Sequence, residues 1–290
     1  MPVNDDLGVR IKTFYEQIPK TKLMRRTPVI CRIDGRSFHT FTKGFKRPFD
    51  EILIKSMQDT MKYLCQNVSE CVAGYHQSDE ISLVLIDYKK YTSGAFFDYE
   101  VQKMCSVIAS MATMAFNKFF SYNVDIKFYE EFYERGLDQG GTLSEFNKLE
   151  TEYKVYYNKA NNAMFDARVF NIPKEEVTNY LYWRQLDTAR NSIQMVGQAN
   201  FTHKELHGKS CNMIQDMLMT QKGINWNDLP TYLKRGSCCI RNKMVYEPWG
   251  NRMMTNEVEE GQWFIDKNIP IFKGEDRKYI DDLIYVGEGL

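Results

Sequence analysis

Two aspartates stand where the chain turns from apolar to polar. Asp34 closes the run Val29-Ile30-Cys31-Arg32-Ile33 and is followed by Gly35-Arg36-Ser37-Phe38-His39. Asp79 sits in the dipeptide Ser78-Asp79, between the apolar runs 70–77 and 80–88. Two carboxylates brought together repel, and one is driven to keep its proton. Hard divalent cations relieve that repulsion, because magnesium takes carboxylate and carbonyl oxygens and leaves positions open for phosphates. Two magnesium ions, with the Gly35 carbonyl as a further ligand where no side chain bars the approach, suit in-line phosphoryl or nucleotidyl transfer. In such sites, metals roughly 3.5 to 4 Å apart steady the attacking and leaving oxygens. The amides of 35–39 could cradle a triphosphate. Taken singly, each aspartate reads more simply as a strand end or a turn, so the chemistry depends on a topology that makes them neighbours.

That topology is legible. Residues 27–34 read as a strand and 48–68 as a helix, with apolar residues at Ile52, Ile54, Met57, Met61 and Leu64. The runs 70–77 and 80–88 read as a hairpin closed by a very tight turn. Residues 96–120, rich in Met and Ala, predict a buried helix, and 165–173 a strand ended by Pro173. The order β-α-β-β-α-β describes an α+β, ferredoxin-like (split βαβ) sheet with helices on one face. Its first strand lies beside its third, which carries Asp34 toward Asp79. Residues 123–164, polar and Tyr-rich around Gly140-Gly141, read as an inserted excursion, part helical and mobile at the glycines. The chain after Pro173 turns helical, then ends in short strands and turns. We expect a domain over 1–245 and an extension over 246–290.

The chain has 290 residues, 43% hydrophobic and 14% aromatic, enough to bury a large core. It shows no apolar stretch of transmembrane length and no secretory signal pattern, so a soluble cytoplasmic protein is expected. Seven cysteines, never spaced C-x-x-C, signal neither a disulfide framework nor a zinc site. The net charge is zero, but residues 1–50 carry eleven basic side chains against five acidic ones, while 125–154 carry eight acidic against four basic. A polyanion could bind one face of such a protein, although ordinary solvated faces account for the charges equally well.

The motifs "RIDGRSFHTF", "FKRPFD", "GYHQSDEISLVL", "FDARVF", "NYLYWRQLD" and "LPTYLKRG" resemble the tRNA-His guanylyltransferase family over about residues 5–242. The resemblance implies a polymerase-palm fold and templated 3′-to-5′ nucleotide addition at the 5′ end of tRNA. The implied partners are tRNA, ATP, GTP and other NTPs, the cofactor two Mg2+ ions, and the assembly a homotetramer. Carried over by position, Asp34 and Asp79 with the Gly35 carbonyl resemble the metal site, and Arg36, Ser37, Phe38 and His39 its triphosphate loop. Arg47, Lys103 and Arg168 resemble the set for a second triphosphate. Ser78 falls where a phosphate contact is implied, and Glu80 beside it reads as an exposed partner. Without the resemblance, Arg47 is a turn charge and Lys103 a snorkelling helix residue.

One departure matters. The tRNA-His-specific members follow "WRQxD" with a His-Ile-Asn-Asn-Leu-Tyr-Asn-Thr block. This chain reads Thr188-Ala189-Arg190-Asn191-Ser192-Ile193-Gln194-Met195, so only Asn191 is kept. The chain looks more like the tRNA-His guanylyltransferase-like proteins, which repair truncated 5′ ends, than like a tRNA-His guanylyltransferase proper.

Other motifs carry less. His203 and His207 share a helix face, but Lys204 stands where a metalloprotease helix needs glutamate. The run 207–210, "HGKS", echoes a P-loop without its upstream glycine, since position 203 is histidine. Lys209, Lys234 and Arg235 read instead as phosphate contacts for RNA. The competing readings are a nucleotide-cyclase-like palm enzyme, which needs no RNA, and a non-catalytic RNA-binding module. Such a module would expose strand aromatics for base stacking, whereas Val29, Cys31 and Ile33 suit burial.

Overall fold

The computed structural model describes residues 5–241 and 261–286. Six strands form one antiparallel sheet: β1 (Val29–Gly35), β2 (Cys71–Gln77), β3 (Glu80–Leu85), β4 (Phe165–Asn171), β5 (Ser237–Arg241) and β6 (Trp263–Asp266), in the spatial order β4-β1-β3-β2-β5-β6. The first four strands keep the ferredoxin-like order, and β5 and β6 extend the sheet past β2. The domain boundary expected at 245/246, and the turns expected over 242–260, lie outside the described residues.

Ten α-helices are described: α1 (Asp6–Ile11), α2 (Phe38–Phe41), α3 (Glu51–Asn67), α4 (Val101–Glu134), α5 (Leu143–Tyr157), α6 (Lys174–Asn200), α7 (His203–Leu206), α8 (Cys211–Lys222), α9 (Thr231–Arg235) and α10 (Lys278–Ile284). Helices cover both faces of the sheet, not one. Alternate residues of β1 explain why. Val29, Cys31 and Ile33 pack with Met57, Met61 and Leu64 of α3 and Ile108, Ala112 and Phe116 of α4. Ile30 points the other way, against Val177 and Leu181 of α6 and Ile280 and Ile284 of α10. Strands apolar on both sides need two covers, and every residue of β2 and β3 is buried. With both faces covered, no aromatic side chain of the described strands is exposed for base stacking.

The stretch 123–164, expected to be part helical, is helical over 123–134 and 143–157. Its first residues continue α4, which runs for 34 residues, about 50 Å. That length carries the helix past the sheet edge, and α5 folds back along it, burying Leu149, Tyr153 and Tyr156. The α5 N-terminus is closed by a capping box between Thr142 and Glu145.

Candidate active site

Directly opposed residues of antiparallel strands share a face. On β1, Asp34 is opposed by Glu80 of β3 and Asp166 of β4, while Arg32 is opposed by Ser82 and Arg168. One end of the sheet therefore bears a row of carboxylates beside a row holding two arginines. Arg168 Nη2 lies 4.0 Å from Asp34 Oδ2 and 3.6 Å from Asp166 Oδ1.

Asp79 joins this row through the backbone. It occupies the two-residue turn between β2 and β3, whose first residue, Ser78, takes a left-handed φ of +52°. The Gly35 amide donates to the Asp79 carbonyl at 3.0 Å, so the two aspartate segments are fastened together. Burial, and then the charge of Asp34, push the Asp79 carboxyl above its ordinary range. Its charged form is thus disfavoured by burial and by the neighbouring carboxylate. Among the described residues no group of three or more His, Cys, Asp or Glu is arranged to hold a metal ion. Magnesium does not require one, since it binds through one or two carboxylates and completes its shell with water and phosphate. The pair fits that donor pattern.

The loop after Asp34 is shaped by aromatic packing. A Cβ at Gly35 would stand 2.3 Å from the Phe38 ring, so only glycine lets that ring close over the strand end. Phe38 is buried against Phe41, Phe116 and Phe165. Any contact it makes with a triphosphate is thus through its amide. Ser37, with φ +55°, turns the chain into α2, while Arg36 and His39 remain exposed. The first amides of such a turn lack intrahelical acceptors, but of the expected cradle at 35–39 the Gly35 amide is spent on the Asp79 carbonyl and the Arg36 amide donates to the Met164 carbonyl at 2.8 Å.

Glu80 is not an exposed partner. Its carboxylate is buried between Arg32 Nη2 at 2.6 Å and Arg184 Nε at 2.9 Å, the latter an ion pair without hydrogen-bond alignment. Burial outweighs the pull of Arg184 and Arg32 and raises its pKa. Arg184 comes from the "WRQLD" stretch of α6 and also contacts Asp187 at 2.9 Å. This network ties α6 to the strand that begins beside Asp79. It escaped sequence reasoning, although the alternation of Arg32 with Asp34 along β1 was a usable signal.

The Ser78–Asp79 turn has a second anchor. His76 Nε2 lies 3.0 Å from the Ser78 carbonyl, and its Nδ1 is 3.5 Å from Ser237 Oγ, which accepts from Gln58 Nε2 at 3.2 Å. Burial lowers the His76 pKa to about 4, so the ring is neutral and its Nε2–H donates to the carbonyl.

Ser78, Asn191 and Thr188 line one small cavity near this turn, and Ser78, Arg47, Met195 and Gln198 line another of about 190 Å³. The Arg47 loop is held by Asp50, the N-cap of α3, which accepts from Lys46 N at 3.0 Å, Leu53 N at 2.9 Å and Tyr156 Oη at 2.6 Å. Lys159 Nζ, just past α5, donates to the Thr40 carbonyl at 2.9 Å. The α4–α5 hairpin thereby supports the loops that carry Thr40 and Arg47.

Other expected residues lie elsewhere. Lys103 covers the Phe97 ring at 4.8 Å. The part of α4 beside the Asp34 end is Thr113–Asn117, where Thr113 Oγ1 accepts from Phe165 N. Ten residues of helix, about 15 Å, separate Lys103 from it. Lys234 donates to the Asn227 carbonyl and sits 5.8 Å from the Trp226 ring. The Arg235 carbonyl accepts from Tyr75 Oη at 2.6 Å. Lys209 lines a groove with Arg47, His203 and His207. The run 207–210 does lead into a helix, α8, but follows α7 rather than a strand.

Known proteins share this architecture. Residues 9–173 match the family described as tRNAHis guanylyltransferase. A bacterial tRNA(His) guanylyltransferase-like protein solved in complex with ATP is 39% identical with a TM-score of 0.73, covering 97% of this chain and 100% of that one. A bacterial protein of the same description in complex with GTP is 36% identical with a TM-score of 0.67 over the same shares. The tRNA(His) guanylyltransferase of Saccharomyces cerevisiae is 26% identical over 227 residues, 73% of this chain and 82% of its own. The chain belongs to the tRNA(His) guanylyltransferase family and is a nucleotidyltransferase.

Proposed function

We propose that this protein adds nucleotides in the 3′-to-5′ direction to the 5′ end of tRNA, copying the opposite strand. The observation that carries the reading is the juxtaposition of Asp34 and Asp79 at one sheet end, where the Gly35 amide donates to the Asp79 carbonyl and Arg168 stands 4.0 Å from Asp34. The ATP and GTP complexes of the related bacterial proteins support nucleotide binding by the same fold. The replacement of the tRNA-His-specific block at 188–195 favours 5′-end repair over guanylylation of tRNA-His alone.

A 5′-monophosphorylated RNA is first adenylylated by ATP with release of pyrophosphate. The 3′-hydroxyl of the incoming NTP then attacks the 5′ phosphorus and AMP leaves; pyrophosphate is finally removed from the new end. An RNA that already bears a 5′-triphosphate omits the activation, and pyrophosphate is the leaving group. Two magnesium ions bound by Asp34, Asp79 and the Gly35 carbonyl would polarise the reacting phosphate and make the attacking hydroxyl more acidic. Arg168 and Arg47 neutralise phosphate charge, and the amides of 37–39 and the Ser78 hydroxyl position it, since the Gly35 and Arg36 amides already donate to the Asp79 and Met164 carbonyls. The buried Glu80 pairs and His76 keep the turn that presents Asp79 in place. Base pairing supplies the choice of nucleotide. We also propose a homotetramer acting in the cytoplasm; no described helix is long and apolar enough to cross a membrane.

The test is to incubate the protein with magnesium, the four NTPs and a tRNA lacking its first 5′ nucleotide, in mono- and triphosphorylated forms. Growth at the 5′ end that follows the template supports the reading, and the preferred form shows whether activation is needed. Addition of G to tRNA-His alone points to a guanylyltransferase proper. Nucleotide turnover without RNA growth points to the cyclase-like chemistry and overturns the proposal.

A further inference from the structure

Along α6 and α7 lies a groove of about 500 Å³ lined by Arg47, Gln194, Gln198, His203, His207 and Lys209, with Phe201, Leu206 and Ile214 at its floor. Its polar lining consists of cationic, imidazole and amide side chains, with no carboxylate. The nearest acid in sequence, Glu205, is engaged in the α7 capping box, where its Oε2 accepts from Thr202 N and Thr202 Oγ1, each at 2.7 Å. His203 and His207 stand one turn apart with ring centroids at 6.1 Å, so both can face a single strand. Immediately after Lys209 begins α8, a twelve-residue helix whose positive end adds to the same field. Gln194, His203, His207 and Lys209 are exposed and open to a ligand.

The groove is continuous with the reaction site. Arg47 and Gln198 line both it and the smaller cavity that contains Ser78, one residue from Asp79. An exposed lining that donates hydrogen bonds and positive charge and holds no carboxylate fits a chain of phosphates better than a base, which needs a stacking wall or a matched edge. We propose that this groove is the track for the phosphodiester backbone of the RNA whose 5′ end reacts beside Asp34 and Asp79. The inference rests on the proposed function and extends it: His203, His207 and Lys209 hold backbone phosphates, and Arg47 stands at the junction between the RNA track and the triphosphate. The motif at 203–207 then serves RNA and not a metal.

The test uses the full chain, a 5′-truncated tRNA as probe, and two variants. One is His203→Ala/His207→Ala/Lys209→Ala; the other is Gln194→Glu, which puts a carboxylate at an exposed helix position with little risk to folding. RNA affinity by fluorescence anisotropy is expected to fall about tenfold in the triple variant, and the slope of log affinity against log salt to flatten by about one per phosphate contact removed. KM for RNA should rise while kcat at saturating RNA and affinity for ATP stay at wild-type values. Gln194→Glu should weaken RNA binding in the same direction. If both variants bind RNA as wild type does, with unchanged salt slope, the track lies elsewhere and the inference is overturned. Loss of ATP affinity with RNA binding unchanged overturns it too and gives the groove to the nucleotide. A wild-type protein that extends no RNA removes the functional reading itself, and this inference with it.

Discussion

Asp79 is held in a state that its surroundings resist. Burial and the Asp34 charge raise its pKa in the folded protein, so its contribution to stability is full below the unfolded value, about 4, and is lost as pH rises through the folded value. Asp79→Asn removes that penalty. In chelator at neutral pH the variant should melt above wild type, and the difference should vanish as the pH is lowered below about 4. With magnesium and NTPs the same variant should lose about a thousandfold or more in nucleotide transfer, the scale of removing a metal ligand from the reacting phosphate. A variant with full activity sinks the metal assignment. His76 behaves oppositely. Its pKa is lowered to about 4 by burial, so the stability it contributes is present above the unfolded value of about 6.5 and is lost as pH falls toward 4. Urea unfolding should show about 3 kcal/mol of stability lost over that window on account of this ring, and His76→Gln should remove that part of the pH dependence.

At the scale of elements, the α4–α5 hairpin acts on the site from behind. Tyr156 donates to Asp50 at 2.6 Å, and Asp50 in turn caps α3 and holds Lys46 N beside Arg47. Tyr156→Phe keeps the ring stacked on Phe45 and removes only that donor. The expected cost is about 1.5 to 3 kcal/mol in denaturant unfolding, the range for a hydrogen bond to a charged group. A severalfold rise in KM for the nucleotide should accompany it, because the Arg47 loop loses an anchor. An unchanged KM with reduced stability would confine α5 to a supporting part in the core. The pairing of α6 with the sheet works similarly. Arg184 and Arg32 compensate a Glu80 that would otherwise be a buried, unpaired charge, an arrangement that is costly to break by removing one partner.

At the scale of the whole molecule, charge and apolar surface are both unevenly spread. The chain is neutral overall, yet a groove lined by no carboxylate opens along α6 and α7 and shares Arg47 and Gln198 with the cavity at Ser78. Large apolar side chains stand exposed on the N-terminal helical segment and on the outer part of α4. Leu7, Phe14, Tyr15 and Ile18 are 60 to 74% exposed, and Tyr122, Tyr129 and Tyr133 are 56 to 61% exposed. Exposed apolar side chains grouped on one surface mark protein–protein contacts. Sedimentation should therefore give a particle several times the 34.2 kDa chain mass, and Phe14→Glu or Tyr129→Glu should lower it. A wild-type mass near that of one chain would remove the tetramer from the proposal.

The sequence by itself determined the ferredoxin-like order, because each element announces itself through local periodicity. The apolar run of 29–33, the helical spacing of Ile52, Met57, Met61 and Leu64, and the two-residue break at Ser78-Asp79 all concern neighbours along the chain. Once that order is known, the pairing of the strands that carry Asp34 and Asp79 follows. The placement of the candidate site was legible for the same reason: Asp34, Gly35, Ser78 and Asp79 sit at strand ends. What depends on distance through space was not legible. The second helical layer on the sheet, the burial of Glu80 between Arg32 and Arg184, and the clamp from Tyr156 to Asp50 join residues 48 to 106 or more positions apart, except Arg184 and its own helix. The distance of Lys103 from the site follows from the direction in which α4 runs, which no local pattern encodes. Tertiary structure decided these features because side-chain burial and charge compensation are set by which surfaces meet, and that choice is made by the packing of the whole chain.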